Sequence, residues 1–306
     1  MTSPVTTQPP TFWQRSRKRI LQCALALLLL GLLIAWIIGG ALCMPHNRPV
    51  TAPADFPVEA IIFPSTSGTT IHGWIAQPAG VTNRGVIILQ HGVRTDRSTM
   101  LGRARLLTRA GYTVLLFDFQ AHGESPGRVI TFGWLESRDS QAAVRYVKTR
   151  FPGQPVGLVG VSMGAAAAAL ANPPLDVQAM VLEMMYPDLV TATKDRIQMR
   201  LGAPARLLSP LLTGQVKLRT GCTPDDLRPI DHVGSLTMPK LFLAGTADRE
   251  THFAEAQAIF ARAAEPKQFA AFTGARHQDL YKFAPDQYQK LVLDFFNTHL
   301  NSLKAK

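Results

Sequence analysis

Cysteine is scarce, and its placement excludes a disulfide framework. Of three cysteines in 306 residues, Cys23 and Cys43 fall in one apolar N-terminal run and only Cys222 lies in the body. No internal disulfide can form in that body, and no C-x-x-C pair offers a zinc or redox site. The cysteines neither demand nor exclude an oxidising compartment. The chain also lacks H-E-x-x-H, G-x-x-x-x-G-K-[ST] and a properly placed G-x-G-x-x-G, so no metal and no cofactor is expected. Charged residues make up only 17%, against 46% hydrophobic, which argues against disorder.

Acids are missing altogether from the first 44 residues, where Arg15, Arg17, Lys18 and Arg19 stand unopposed. Elsewhere 28 bases against 21 acids leave +7 of the formal +11. No nucleic-acid motif and no arginine-rich run in the body accompanies this surplus, so a membrane surface is expected as partner rather than nucleic acid.

From Ile20 to Cys43 no residue is charged, and Gln22 is the one strongly polar side chain. These 24 residues make roughly 36 Å of helix, enough to cross a hydrocarbon core of about 30 Å. Trp13 and Trp36 stand near the two expected interfaces. Four bases before the span, and Arg48 close behind it, favour a cytoplasmic N-terminus and a body on the other side. A cleaved secretory signal is the alternative, kept open by the small-x-small site Ala41-Leu42-Cys43. The expected organisation is a disordered basic N-terminus (1–19), a transmembrane anchor (20–43), a linker with four prolines (44–57) and one domain (58–306).

In that domain short apolar runs alternate with helical patterns, the signature of an α/β fold with a mostly parallel central sheet flanked by helices. Strands are expected at 58–63 and 70–76 (an antiparallel pair), then 85–90, 113–118, 156–161, 179–184, 240–244 and 268–272. Helices are expected at 98–110, 135–150, 163–171, 254–263 and 285–300. Between 184 and 240 no strand is legible; helices at 187–201 and 205–218 suggest a short helical lid, about 186–236.

The strongest motif is Gly160-Val161-Ser162-Met163-Gly164, between the strand run VGLVGV and the helix former AAAAAL. A G-x-S-x-G at a strand-to-helix turn is a nucleophile elbow: its glycines allow the sharp turn, and the serine hydroxyl projects beyond the sheet. A serine hydroxyl needs a base, and the chain order Ser, acid, His nominates Asp248, just past the run KLFLA, and His277, after the last strand. Glu183 is the alternative acid, and His232 and His252 are the rival bases. An oxyanion hole needs two backbone N–H groups: Met163, after the serine, and Val93, in the loop His91-Gly92-Val93-Arg94, are the candidates.

With His91-Gly92, the run Asp118-Phe119-Gln120-Ala121-His122-Gly123-Glu124-Ser125, GVSMG and GTADRE in this order, the chain resembles the α/β-hydrolase superfamily over roughly residues 58–300. It looks most like small bacterial esterases, peptidases and thioesterase-like hydrolases carrying one N-terminal anchor. The resemblance implies that His122–Ser125 shapes the loop near the site rather than performing chemistry. Arg276 stands where the family often has glycine before its histidine, and Arg249–His252 where a proline commonly follows its acid. The expected function is a serine hydrolase cleaving an acyl ester or thioester of a small-molecule or lipid substrate. A peptidase or amidase of the same fold, or a non-catalytic binding relative, is the alternative. Finally, Arg94, Arg97, Arg103, Arg105 and Arg109 cluster after the oxyanion strand, opposite a basic lid; solvated helix faces are the first reading and a basic rim at the mouth of the site the second.

Overall fold

The computed structural model describes residues 12–80 and 83–301. Eight strands form one sheet: β1 (Glu59–Pro64), β2 (Thr70–Ala76), β3 (Val86–Gln90), β4 (Thr113–Phe117), β5 (Val156–Val161), β6 (Ala179–Glu183), β7 (Lys240–Gly245) and β8 (Lys267–Phe272). Their spatial order is β1-β2-β4-β3-β5-β6-β7-β8. β2 runs antiparallel to both β1 and β4, and every later pairing is parallel. The inner strands are apolar on both faces, as parallel strands covered by helices must be. Ile88, Leu158, Met180 and Phe242 pack on one side with α3 (Trp134–Arg150) and α4 (Met163–Leu170). Ile87, Leu89, Val159 and Leu241 pack on the other with α2 (Leu101–Arg109) and, near the C-terminus, Val292, Phe295 and Phe296.

The interval between β6 and β7 contains no strand. It begins with α5 (Leu189–Leu201), capped by the Asp188 carboxylate, which accepts the N–H of Thr191. The expected helix over 205–218 is instead broken into a 3₁₀ segment (Ala203–Leu208), α6 (Ser209–Thr213) and α7 (Val216–Thr220), followed by the single turn α8 (Pro229–His232). Pro204 and Pro210 each sit in a first turn, and Gly214 closes α6, so three short pieces replace one long one. The chain then forms α9 (Phe253–Arg262), α10 (Leu280–Phe283) and α11 (Pro285–Asn301).

The N-terminal helix α1 runs from Phe12 to Cys43. It begins before residue 20, so 12–19, expected to be disordered, are helical; residues 1–11 lie outside the described residues. The stretch Ser16–Cys43 is long and apolar enough to cross a membrane. Residues 44–57, expected as a linker, are fixed to the body instead. His46 and Arg48 donate backbone hydrogen bonds to Ala121 and Gly123, making a two-residue parallel ladder with His122–Gly123. Arg48 also pairs with the buried Asp96 at 2.6 Å. Proline content favours an extended chain, but an extended chain with free N–H groups docks wherever carbonyls wait for it.

Candidate active site

The carboxyl ends of β3, β5, β7 and β8 converge, and each carries one of the nominated residues within a few positions of its end. Ser162 follows β5 directly, with φ +52°, a left-handed conformation that strains a residue with a side chain. Its N–H donates to the Glu183 carbonyl at 2.8 Å, tying the turn to the neighbouring strand. The flanking glycines are sterically required. A Cβ on Gly160 would lie 2.7 Å from the Ala165 nitrogen, and one on Gly164 would lie 2.6 Å from the Gln90 carbonyl oxygen.

His277 Nε2 lies 3.1 Å from Ser162 Oγ, and His277 Nδ1 lies 2.8 Å from Asp248 Oδ2. An ionised carboxylate only accepts, so Nδ1 carries the proton and Nε2 is left to accept from the hydroxyl. The second Asp248 oxygen accepts the N–H groups of Glu250 (2.8 Å) and Thr251 (3.0 Å), which orients the carboxylate. Asp248 and Ser162 are buried, and His277 is nearly so.

The rival residues lie elsewhere. Glu183 is fully buried and takes both its oxygens to Arg103, at 3.0 and 2.7 Å, with the Tyr288 hydroxyl donating to one of them. Burial works against the charge on Arg103, but the Glu183 carboxylate offsets it, and the guanidinium pKa lies above its ordinary value. His252 faces Asp195 at 3.7 Å, and His232 closes α8.

Val93 lies with Ser162 and His277 on the wall of a cavity of about 250 Å³, which Met184, Arg196, Glu250 and Gln278 also line. Met163 is the first residue of α4, so its N–H is among the first-turn donors that have no partner within the helix. The loop bearing Val93 is held by two neutral histidines. His122 Nε2 accepts the N–H of Arg94 at 3.1 Å, and His91 Nε2 accepts that of Phe119 at 3.1 Å. Burial lowers the pKa of each to about 4, with the neighbouring imidazole as a second cause for His122.

Four of the five bases after the oxyanion strand form neither a basic rim nor a free solvated face. Arg97 is buried against Asp118 and Glu124 with its guanidinium 4.2 Å from the Trp74 ring centre, Arg103 is taken by Glu183 and Asp279, and Arg105 pairs with Asp55 at 2.6 Å. Arg94 turns to the carbonyls of Ala41 (2.9 Å) and Met44 (3.4 Å). These acids come from distant parts of the chain, and no local pattern marks them. The Arg103–Glu183–Tyr288 network and the cavity-lining pair Arg196–Glu250, 3.3 Å apart, were likewise invisible to sequence reading.

A family model described as serine aminopeptidase, S33, matches residues 82–186, the span that carries the oxyanion loop and the elbow. The uncharacterised protein YqkD of Bacillus subtilis is 25% identical over 78% of this chain and 79% of its own length. The uncharacterised protein YfhR of Salmonella typhi is 26% identical over 84% and 87%, respectively. Among solved structures, the Pyrococcus furiosus esterase Pf2001 superposes with a TM-score of 0.70 at 22% identity, covering 84% of this chain and 98% of that one. An alpha-beta serine hydrolase homologue from Coxiella burnetii gives 0.54 at 17%, covering 80% and 99%. The chain has the α/β-hydrolase fold. The family match and these likenesses support a hydrolase of that fold.

Proposed function

We propose that this chain is a serine hydrolase that cleaves an acyl ester or thioester through an acyl-Ser162 intermediate. The observation that carries the reading is the continuous hydrogen-bonded chain Ser162–His277–Asp248 at the wall of a cavity. His277 Nε2 takes the proton as Ser162 Oγ attacks the carbonyl carbon, and Asp248 stabilises the imidazolium that forms. The N–H groups of Val93 and Met163 receive the oxyanion, where donors aimed at developing charge contribute most. His277 then protonates the leaving group. A water, deprotonated by the same imidazole, cleaves the acyl-serine and restores the hydroxyl.

The family description supports a second reading, an aminopeptidase. Such an enzyme needs an acceptor for the substrate ammonium. Both cavity carboxylates are already paired, Glu250 with Arg196 and Asp279 with Arg103, and this favours the ester. The test is to label the full chain with a fluorophosphonate probe and to assay p-nitrophenyl esters of rising chain length beside aminoacyl arylamides. Ser162→Ala abolishes labelling; labelling that survives refutes the nucleophile, and arylamide turnover above ester turnover selects the peptidase.

The helix α1 acts as an uncleaved anchor in this reading, with the N-terminus cytoplasmic and the body on the opposite side. Support comes from its last turns: Ile130 donates to the Cys43 carbonyl (2.9 Å), Gln215 to that of Ala35 (3.0 Å) and Arg94 to that of Ala41. Cleavage after Cys43 would strip the body of these acceptors.

A further inference from the structure

The described residues carry eight exposed large hydrophobic side chains outside α1 and Met44, and six of them lie between Met199 and Leu218 in the lid. Leu207 (85%), Leu218 (76%) and Leu201 (69%) are the most exposed of these. Single exposed leucines need no explanation; a group concentrated in one 20-residue stretch of polar and basic background does. The same stretch contains Arg200, Arg206 and Lys217 and no acid, and Arg200 and Lys217 are exposed and form no ion pair among the described residues.

Where this patch lies follows from α1. Among the described residues of that helix the buried ones are Ala35, Gly39 and Cys43, spaced by four and so on one face. Small side chains let α6 and α7 approach closely. A Cβ on Gly39 would lie 2.5 Å from Gln215 Oε1. Arg219 donates to the Trp36 carbonyl and lies 4.0 Å from the centre of the Trp36 ring. Upstream, the apolar side chains from Ile20 to Ile34 are exposed. A bilayer core takes about 20 helical residues, so a span that starts at Ile20, behind the basic cluster, ends near Gly39. The lid therefore meets α1 at the depth of the far headgroups and the first acyl carbons, not beyond them. The middle of α5 lines the cavity through Arg196, and the helix's last residue is Leu201, five positions on.

We propose that the leucine-bearing face of the lid inserts into the leaflet from which α1 emerges, with Arg200 and Lys217 at its anionic headgroups, so that the cavity takes acyl substrate directly from the membrane. Apolar side chains beneath and bases around them are the composition of an interfacial segment. The substrate half of this proposal rests on the serine-hydrolase reading; insertion of the lid does not.

The experiment uses the full chain in liposomes of neutral and anionic phospholipid, with Cys23, Cys43 and Cys222 replaced by Ala and folding checked by circular dichroism. An environment-sensitive fluorophore is placed at Leu207→Cys and, as control, at Ile62→Cys on β1, where the native side chain is 60% exposed. Insertion predicts that the 207 probe is quenched by bromine carried in the acyl chains and sheltered from aqueous iodide, and that the 62 probe behaves the opposite way. Equal iodide access at the two positions overturns the docking. In a second arm, Leu207→Glu/Leu208→Glu is assayed on a bilayer-embedded acyl ester and on a soluble short-chain ester. The ratio of the two turnovers falls about a hundredfold, since each of the two buried leucines is worth about a factor of ten in partitioning; a ratio that does not move overturns the membrane-borne substrate. If neither ester is hydrolysed by the unaltered chain, the serine-hydrolase reading falls while the probe result stands.

Discussion

Arg103→Met removes the centre of the buried network behind the elbow. Arg103 is almost wholly buried and bonds Glu183 through two nitrogens, Tyr288 at 3.0 Å and Asp279 at 3.0 Å. Methionine fills much of the same volume, so the main loss is electrostatic. The fully buried Glu183 carboxylate keeps the Tyr288 hydroxyl as a donor but has lost its counter-charge. Removing one member of a buried ion pair costs about 3–5 kcal/mol, more than the pair contributes relative to apolar residues. For a body of this size each kcal/mol is worth about 2–4 °C in melting temperature, so a drop of roughly 6–20 °C is expected. The double variant Arg103→Met/Glu183→Gln removes the fully buried charge, leaves only the partly exposed Asp279 without its partner, and regains at least half of the loss. Thermal unfolding of the full chain in detergent, followed by circular dichroism, makes the comparison; if unfolding is irreversible, inactivation half-lives at one temperature replace the midpoint. A single variant that melts within experimental error of the parent, or a double variant worse than the single, would refute this account of the network. The single variant also loosens the elbow, because the Glu183 carbonyl receives the Ser162 N–H.

Three further outcomes are expected. His277→Ala lowers ester turnover as severely as Ser162→Ala, by several orders of magnitude, and Asp248→Asn is somewhat milder; Glu183→Gln exceeding Asp248→Asn in steady-state kinetics would reassign the acid. His91 and His122 titrate near 4 in the folded chain, against 6.5 for the unfolded one. Between those values the unfolded state binds more protons, so their contribution to stability is lost as pH falls from 6.5 through 4. Asp139, pushed up to about 7 by burial, acts in the opposite sense and loses its contribution as pH rises, so the check is residue-resolved NMR titration of the two imidazoles; a midpoint above about 6 for either contradicts their burial as neutral acceptors. An enzyme reporter that works only outside the cytoplasm, fused after Lys306, is active in this topology, and a mature chain beginning near Met44 by N-terminal sequencing would show the segment to be a cleaved signal.

The order of strands and helices, the strand-to-helix turn at Ser162 and the strand-free interval after β6 were legible in the sequence because each depends on neighbours in the chain. Apolar runs of five or six residues mark strands covered on both faces. Gly160 and Gly164 mark a turn that admits no Cβ, and a base follows an acid after successive strands. What the tertiary structure alone decided is which charges meet. Asp248 rather than Glu183 faces His277, because Glu183 is drawn into a pair with an arginine 80 residues away. Arg97 and Arg103, which read as surface bases, are interior struts held by acids from other strands and loops. Residues 44–57 read as a linker by composition, yet the open carbonyls of Ala121 and Gly123 capture them. Local sequence sets backbone conformation through sterics and periodicity. Pairing between groups far apart in the chain is set by burial, which makes an unpaired charge or N–H too costly to leave and chooses its partner from whatever the fold brings within reach.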